Sequence, residues 1–303
     1  MSLEPTVHTC FEPVTCTWQY VVADPETKAA VIIDPVLDFD PAKNAISTDT
    51  ADALLSLVKE NGYTITRLIE THAHADHLTA AHYLQQKLVS SGGPKPSMCI
   101  GKRIGGVQER FAKRYGIDES DYAGAFDHLV EDDEVFAIGN LEAKAVHLPG
   151  HTPDHMGYVI GSNIFCGDSL FNPDIGSARC DFPSGSPHAL YTSCQTLFSL
   201  PPHFKIYTGH DYPNPADGRT DPVPYTTVAT QKATNKHLKE GTTEEEFTKW
   251  RQERDSGLAE PRLIHQALQF NIRGGRLPAA TEGGDRFLHV PLKVSVGVKA
   301  LLA

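Results

Sequence analysis

The segment Thr71-His72-Ala73-His74-Ala75-Asp76-His77 places three histidines and an aspartate within six residues. Imidazole nitrogens and carboxylate oxygens are the donors that suit zinc and iron. In an extended segment alternate side chains share a face, so His72, His74 and Asp76 project to one side, and the turn into a following helix swings His77 alongside. A polar helix cap has no need of three histidines at this spacing, so the cluster points to a metal. Three later residues extend the set: His151 in Leu148-Pro149-Gly150-His151-Thr152-Pro153, Asp168 in Phe165-Cys166-Gly167-Asp168, and His210 in Thr208-Gly209-His210-Asp211-Tyr212. Each ends an apolar stretch and follows a glycine, which permits the sharp reversal or close approach that a ligand at a strand end requires. Taken singly, each reads as an ordinary surface or core residue. Joined to the first cluster, they complete a site gathered from four loops. His82 and His155, each near a site histidine, read instead as packing or hydrogen-bonding residues.

The elements that must carry these loops are legible in outline. Residues 17–34 read as a hairpin, with a turn at Asp24-Pro25-Glu26 and an end at Asp34-Pro35. A helix is expected next, with Thr50 as N-cap, a stripe of Leu54, Leu55 and Val58, and Asn61-Gly62 as its stop. Residues 66–70 then read as a strand that runs into the histidine-rich loop. A second helix carries Ala81, Leu84 and Leu88 on one face and ends at Ser91-Gly92-Gly93; Val107, Phe111 and Tyr115 mark a third. From Val135 onward Gly139-Asn140 and Gly161-Ser162-Asn163 each separate two short apolar stretches, as hairpin turns do. Leu190, Cys194 and Leu197 suggest another helix before a strand over 205–208. Two similar halves of strands and helices favour two sheets packed face to face with helices outside, an α+β architecture. Residues 1–212 are expected to form the catalytic core, and 213–303, with a helix over 244–254, an extension packed on it that covers one side of the site.

Composition narrows the function. A chain of 303 residues with 40% hydrophobic and 21% charged residues buries a sizeable core, and it has no apolar run near the ~20 residues needed to cross a bilayer. The formal net charge of -11 argues against nucleic acid, whose affinity comes largely from lysine and arginine, while local basic residues remain free to anchor a small anionic ligand. The six cysteines are scattered without a close CxxC pair, which makes a reducing compartment the default. The N-terminus, MSLEPTVH, has no basic residue and so lacks a secretory or transit signature, and a cytoplasmic location is the expectation. The sequence leaves a homodimer open.

The HxHxDH pattern followed by single His, Asp and His ligands resembles the metallo-β-lactamase superfamily. The resemblance covers residues 15–212 and implies a four-layer αββα sandwich with metal between the edges of its two sheets. Two further segments are Pro173-Asp174-Ile175-Gly176-Ser177-Ala178-Arg179-Cys180-Asp181-Phe182-Pro183 and Asn271-Ile272-Arg273-Gly274-Gly275-Arg276-Leu277-Pro278. Together with Gly209-His210-Asp211-Tyr212 they resemble the persulfide dioxygenase branch, in particular its bacterial-type members that oxidise glutathione persulfide.

That resemblance implies one Fe(II) per chain held by His72, His151 and Asp168. Such a two-histidine, one-carboxylate set is what non-haem iron oxygenases use, with open positions for substrate and O2. His74, Asp76, His77 and His210 would then orient the ligands from behind. The same residues also make up every ligand of a site with two Zn(II), so spacing alone leaves both metals open. The implied reaction converts glutathione persulfide and O2 to sulfite and glutathione, with Arg179 and Tyr212 near the substrate and Arg273 as a candidate for holding a carboxylate. Arg179 could equally pair with Asp181, and Cys180 reads as a small buried hydrophobe. The rival functions are a glyoxalase II type di-zinc hydrolase of glutathione thioesters and a catalytically silent metal-binding scaffold. The scaffold should have lost ligands, and none is lost.

Overall fold

Asp24 shapes the turn at residues 24–28, accepting hydrogen bonds from the Glu26 amide (2.9 Å) and the Thr27 hydroxyl (2.6 Å). The strands on either side are thereby set antiparallel. In the computed structural model, which describes residues 3–294, the first half contains β1 (Thr6–Glu12), β2 (Thr17–Ala23), β3 (Ala29–Ile33), β4 (Val36–Asp40), β5 (Ala45–Ser47), α1 (Asp49–Asn61), β6 (Thr64–Ile69), β7 (Leu78–Thr79), α2 (Ala81–Ser90), β8 (Ser97–Gly101), α3 (Ile104–Tyr115), α4 (Glu119–Tyr122) and β9 (His128–Val130). The second half contains β10 (Val135–Ile138), β11 (Leu141–His147), β12 (Met156–Ile160), β13 (Asn163–Phe165), α5 (Pro187–Phe198), β14 (Lys205–Tyr207), β15 (Tyr225–Thr227), α6 (Val228–Thr234), α7 (Glu244–Ser256) and α8 (Ile264–Asn271).

The strands form two six-stranded sheets, ordered β1-β2-β3-β6-β8-β9 and β10-β11-β12-β13-β14-β15. The first is antiparallel through β3 and parallel beyond it, and in the second only β13 and β14 run parallel. Tyr20, Val22, Val31 and Ile33 of the first sheet meet Ile138, Ala143, Tyr158 and Phe165 of the second in the central core. Val21 and Ile32, on the opposite face, pack against Leu54 of α1, Leu84 of α2 and Phe270 of α8. Leu190, Cys194 and Leu197 of α5 cover the outer face of the second sheet with Val228 and Phe247. Helix, sheet, sheet and helix thus form the four layers the sequence implies. No helix among the described residues is long and apolar enough to cross a membrane.

Three details differ from expectation. The first helix is capped at Thr48, not Thr50. Thr50 lies inside the first turn, where its amide (2.9 Å) and hydroxyl (2.6 Å) both donate to Asp38 of β4, a carboxylate far enough away in sequence to escape local reading. The chain also does not pass directly from β3 to a helix, because β4 and β5 with β7 make a small three-stranded sheet. Residues beyond 212 supply β15 as an edge strand of the second sheet and put α8 against the first. The end of the expected extension, 295–303, lies outside the described residues.

Candidate metal centre

Strand β6 ends at Ile69, and residues 70–77 cross to β7 without regular structure, carrying the histidine cluster. His72, His151 and Asp168 offer ligand atoms within 4.8 Å of one another, and so do His74, Asp76 and His77. Four buried atoms of these residues have no hydrogen-bond partner: His72 Nε2, His74 Nδ1, His77 Nε2 and Asp168 Oδ1. Burying polar atoms unpaired is costly, and their grouping at one place is what a metal centre requires.

The other ring nitrogens are held from behind. His151 Nδ1 lies 2.7 Å from the backbone carbonyl of Arg179, which can only accept, so Nδ1 carries the proton and Nε2 keeps its lone pair. His210 Nδ1 is fixed in the same way by the carbonyl of Cys16 (3.2 Å). His74 reverses the pattern: Nε2 faces Asp34 Oδ1 at 3.0 Å, and Nδ1 is the free atom. The Thr71 hydroxyl donates to Asp34 Oδ2 (2.9 Å) and therefore accepts from His72 Nδ1 (3.0 Å), leaving His72 Nε2 available. Asp34 has φ +51, a left-handed conformation uncommon outside glycine, at the end of β3. Its carboxylate also accepts from the Thr71 amide (2.7 Å), so one strained residue orients two histidines.

Charge reinforces this arrangement. Burial, then the neighbouring His74, push His72 well below the usual histidine range, which keeps it neutral as a ligand must be. Burial also pulls on His210, but Asp168 and Asp76 outweigh it and raise that ring to about 9. The centre therefore attracts positive charge, whether proton or metal.

The glycines before the ligands are dictated by space. Gly150 has φ +140, and a Cβ there would lie 2.3 Å from the Leu190 amide nitrogen; at Gly209 a Cβ would lie 2.3 Å from Asp168 Oδ1. His155 stacks on His72 with ring centroids 4.6 Å apart, and its Nε2 accepts from the Asp168 amide at 3.0 Å, in keeping with a hydrogen-bonding role.

A cavity of about 580 Å³ opens beside the centre, bordered by Asp76, His151, Asp168, His210 and Tyr212. Another of about 490 Å³, between α3 and α4, contains none of the ligands. Tyr212 leaves 46% of its surface open and stacks on His210, and burial of its hydroxyl together with Asp76 keeps the phenol protonated. Arg179 borders the cavity, but its guanidinium forms a two-pronged pair with Asp181 and donates to the Ala259 carbonyl (2.8 Å). Its backbone, through His151, is its closest tie to the ligands. Arg273 is not brought to the site. It is buried, and its guanidinium is spent on the Gln269 carbonyl and on Asp121 (3.2 Å), away from the cavity lining. His82 on α2 also lies away from the cavity lining.

Sequence reasoning missed Asp34, read only as a hairpin end; it expected residues beyond 212 to cover one side of the site, but named none of Lys236, Trp250, Arg251, Arg254 and Arg262, which line the cavity there. Arg251 is spent on Asp255. Lys236, Arg254 and Arg262 have no carboxylate partner among the described residues.

The model of the metallo-β-lactamase superfamily matches residues 16–210. A β-lactamase hydrolase-like protein of Agrobacterium fabrum is 43% identical over 97% of this chain, which spans 66% of that relative's length. The "Glyoxylase B2" of Dictyostelium discoideum is 38% identical over 96% of this chain and 98% of its own. The mitochondrial persulfide dioxygenase ETHE1 of Bos taurus is 31% identical, covering 88% and 87%. Among solved structures, ETHE1 from Myxococcus xanthus superposes with a TM-score of 0.69 at 28% identity, over 89% of this chain and all of that one (100%). With its family model spanning well over half the chain and full-length relatives matched along most of it, this protein belongs to the metallo-β-lactamase superfamily.

Proposed function

We propose that this protein is a persulfide dioxygenase, converting glutathione persulfide, O2 and water to glutathione and sulfite with a single Fe(II) held by His72, His151 and Asp168. The observation that carries this reading is the grouping of two imidazoles and one carboxylate within 4.8 Å, with His72 Nε2 and Asp168 Oδ1 buried and unpaired. Relatives named persulfide dioxygenase support it. A ferrous ion on three protein ligands supplies open positions for a sulfur anion and dioxygen. The chain's own residues do the rest. His74, Asp76, His77 and His210 hold the first ligands in place and keep the centre attractive to cations, Tyr212 offers a protonated hydroxyl at the cavity wall, and Trp250 and Leu258 give the substrate's methylenes an apolar surface.

Arg179 and Tyr212 line the substrate's path in this reading. The substrate's carboxylates fall to Lys236, Arg254 and Arg262, which pair with no carboxylate among the described residues, and Arg273 stays with Asp121. Arg254→Ala and Arg262→Ala are each expected to raise KM for glutathione persulfide about tenfold, the scale of one charged hydrogen bond, at unchanged metal content. An unaltered KM in the double variant would refute that assignment.

A second reading has its own support. His74 Nδ1 and His77 Nε2 are also buried and unpaired beside Asp76, as a second metal would require, and a relative carries the name glyoxylase. This is a di-zinc hydrolase of glutathione thioesters. Anaerobic metal analysis with an oxygen-electrode assay separates the two. About one iron per chain with O2 uptake on glutathione persulfide is expected; two zincs with brisk lactoylglutathione hydrolysis and no O2 uptake would replace the first reading with the second.

A further inference from the structure

The motif at 271–278 has a place in the sequence pattern but none in the chemistry above. Its first residue, Asn271, ends α8, some two hundred positions after the histidine loop. It is 4% exposed, and both ends of its amide are used. Nδ2 donates to the backbone carbonyls of His74 and of His77, each at 2.8 Å, and Oδ1 accepts from the Thr79 amide at 2.9 Å. The two carbonyls belong to a buried loop with no regular structure, where a carbonyl finds no partner in a helix or sheet ladder, and the amide belongs to Thr79 at the end of β7.

We propose that Asn271 is a positioning residue of the metal centre. By tying two carbonyls and one amide of the 74–79 segment to a single rigid side chain, it fixes the backbone from which His74 and His77 project, and hence the direction of His74 Nδ1 and His77 Nε2. The rest of the motif holds Asn271 in place. Ile272 is fully buried against Ile104, Phe111 and Leu268. Gly274 and Gly275 take left-handed φ values of +63 and +85, and a Cβ at Gly275 would lie 3.0 Å from the Thr79 carbonyl, so the chain can turn directly beneath the loop only with glycine there. Asp34 orients the His74 ring from its side-chain end, and Asn271 fixes the same residue through its backbone.

This inference holds for iron or zinc alike and does not depend on which reaction the centre performs. The test is metal affinity, measured by chelator competition with Fe(II) and with Zn(II) on the full-length chain, together with the melting temperature with and without metal. Asn271→Ala should weaken both metals about ten- to a hundredfold, the usual scale for a residue supporting a ligand, and shrink the rise in melting temperature on metal addition. Gln269→Ala is the control. It removes an equally buried amide of the same helix, whose bonds go to the carbonyls of His265 and His289 instead of to the histidine loop. A purely structural role lowers the melting temperature of the metal-free protein in both variants and leaves the metal-induced rise intact. Asn271→Asp, matched in size, keeps the acceptor for Thr79 while losing both donors, and should reproduce the affinity loss even if the alanine variant does not fold. Affinity within about threefold of the unaltered protein in either variant overturns the proposal.

Discussion

Asp168→Ala should yield a folded protein that no longer retains metal through gel filtration, with metal content falling to less than about a tenth of that of the unaltered protein. Asp168 is the only carboxylate of its triad, and its Oδ1 is buried with no hydrogen-bond partner. Its other oxygen stands 3.6 Å from His151 Nε2 and 3.5 Å from His210 Nε2. Removing it leaves the triad two imidazoles and no anionic donor, and takes away the larger of the two charges that hold His210 up at about 9. The fold should survive, because Asp168 makes no side-chain bond that closes a sheet or caps a long helix, and the His155 contact is to its backbone. Stoichiometric metal in the variant, measured by atomic absorption, would show that the triad is assigned wrongly.

Gly209→Ala is expected to be nearly as damaging although it touches no ligand chemically. The new methyl would lie 2.3 Å from Asp168 Oδ1 and 3.0 Å from the Gly167 carbonyl carbon. The carboxylate is free to swing away only by abandoning its metal-facing position. The backbone cannot separate easily, since the Gly209 amide donates to the Gly167 carbonyl at 2.8 Å. Overpacking of this kind typically costs ~1–3 kcal/mol, and the displaced ligand should weaken metal binding about a hundredfold. Gly105→Ala makes a matched comparison, because a methyl there meets nothing within 4 Å and the residue lies in α3. It should be neutral or stabilising by ~0.5–1 kcal/mol. Equal metal affinity in the two variants would remove close approach as the reason for glycine at 209.

Asp168 and Gly209 stand out in the sequence because each belongs to an adjacent pair of glycine and candidate ligand, although the atoms that crowd Gly209 belong to Gly167 and Asp168, far earlier in the chain. The αββα layering was readable for the same kind of reason, through apolar periods and turn residues. What escaped depends on partners far along the chain. Thr50 looks like an N-cap until Asp38 is seen to occupy its amide. The sequence leaves Arg179 divided between the substrate and Asp181, and its guanidinium takes Asp181; what no side-chain letter encodes is its carbonyl's hold on the ring of His151, a residue 28 positions away. Arg254 and Arg262 sit in a segment whose composition is unremarkable, and only the packing of α7 and the loop after it turns them toward the cavity.

The bond from Asn271 to His74 spans 197 positions. During synthesis at ~5–20 residues per second, the histidine loop therefore exists for roughly 10–40 s before the side chain that fastens it has been made. Over that interval the nascent chain offers only loose, flexible chelating groups, which by the Irving–Williams order favour copper or zinc over ferrous iron. Any selectivity for a weaker-binding metal must be imposed afterwards, by the finished chain and by the metals the cell makes available to it, so the metal content of a preparation reflects growth conditions as well as sequence.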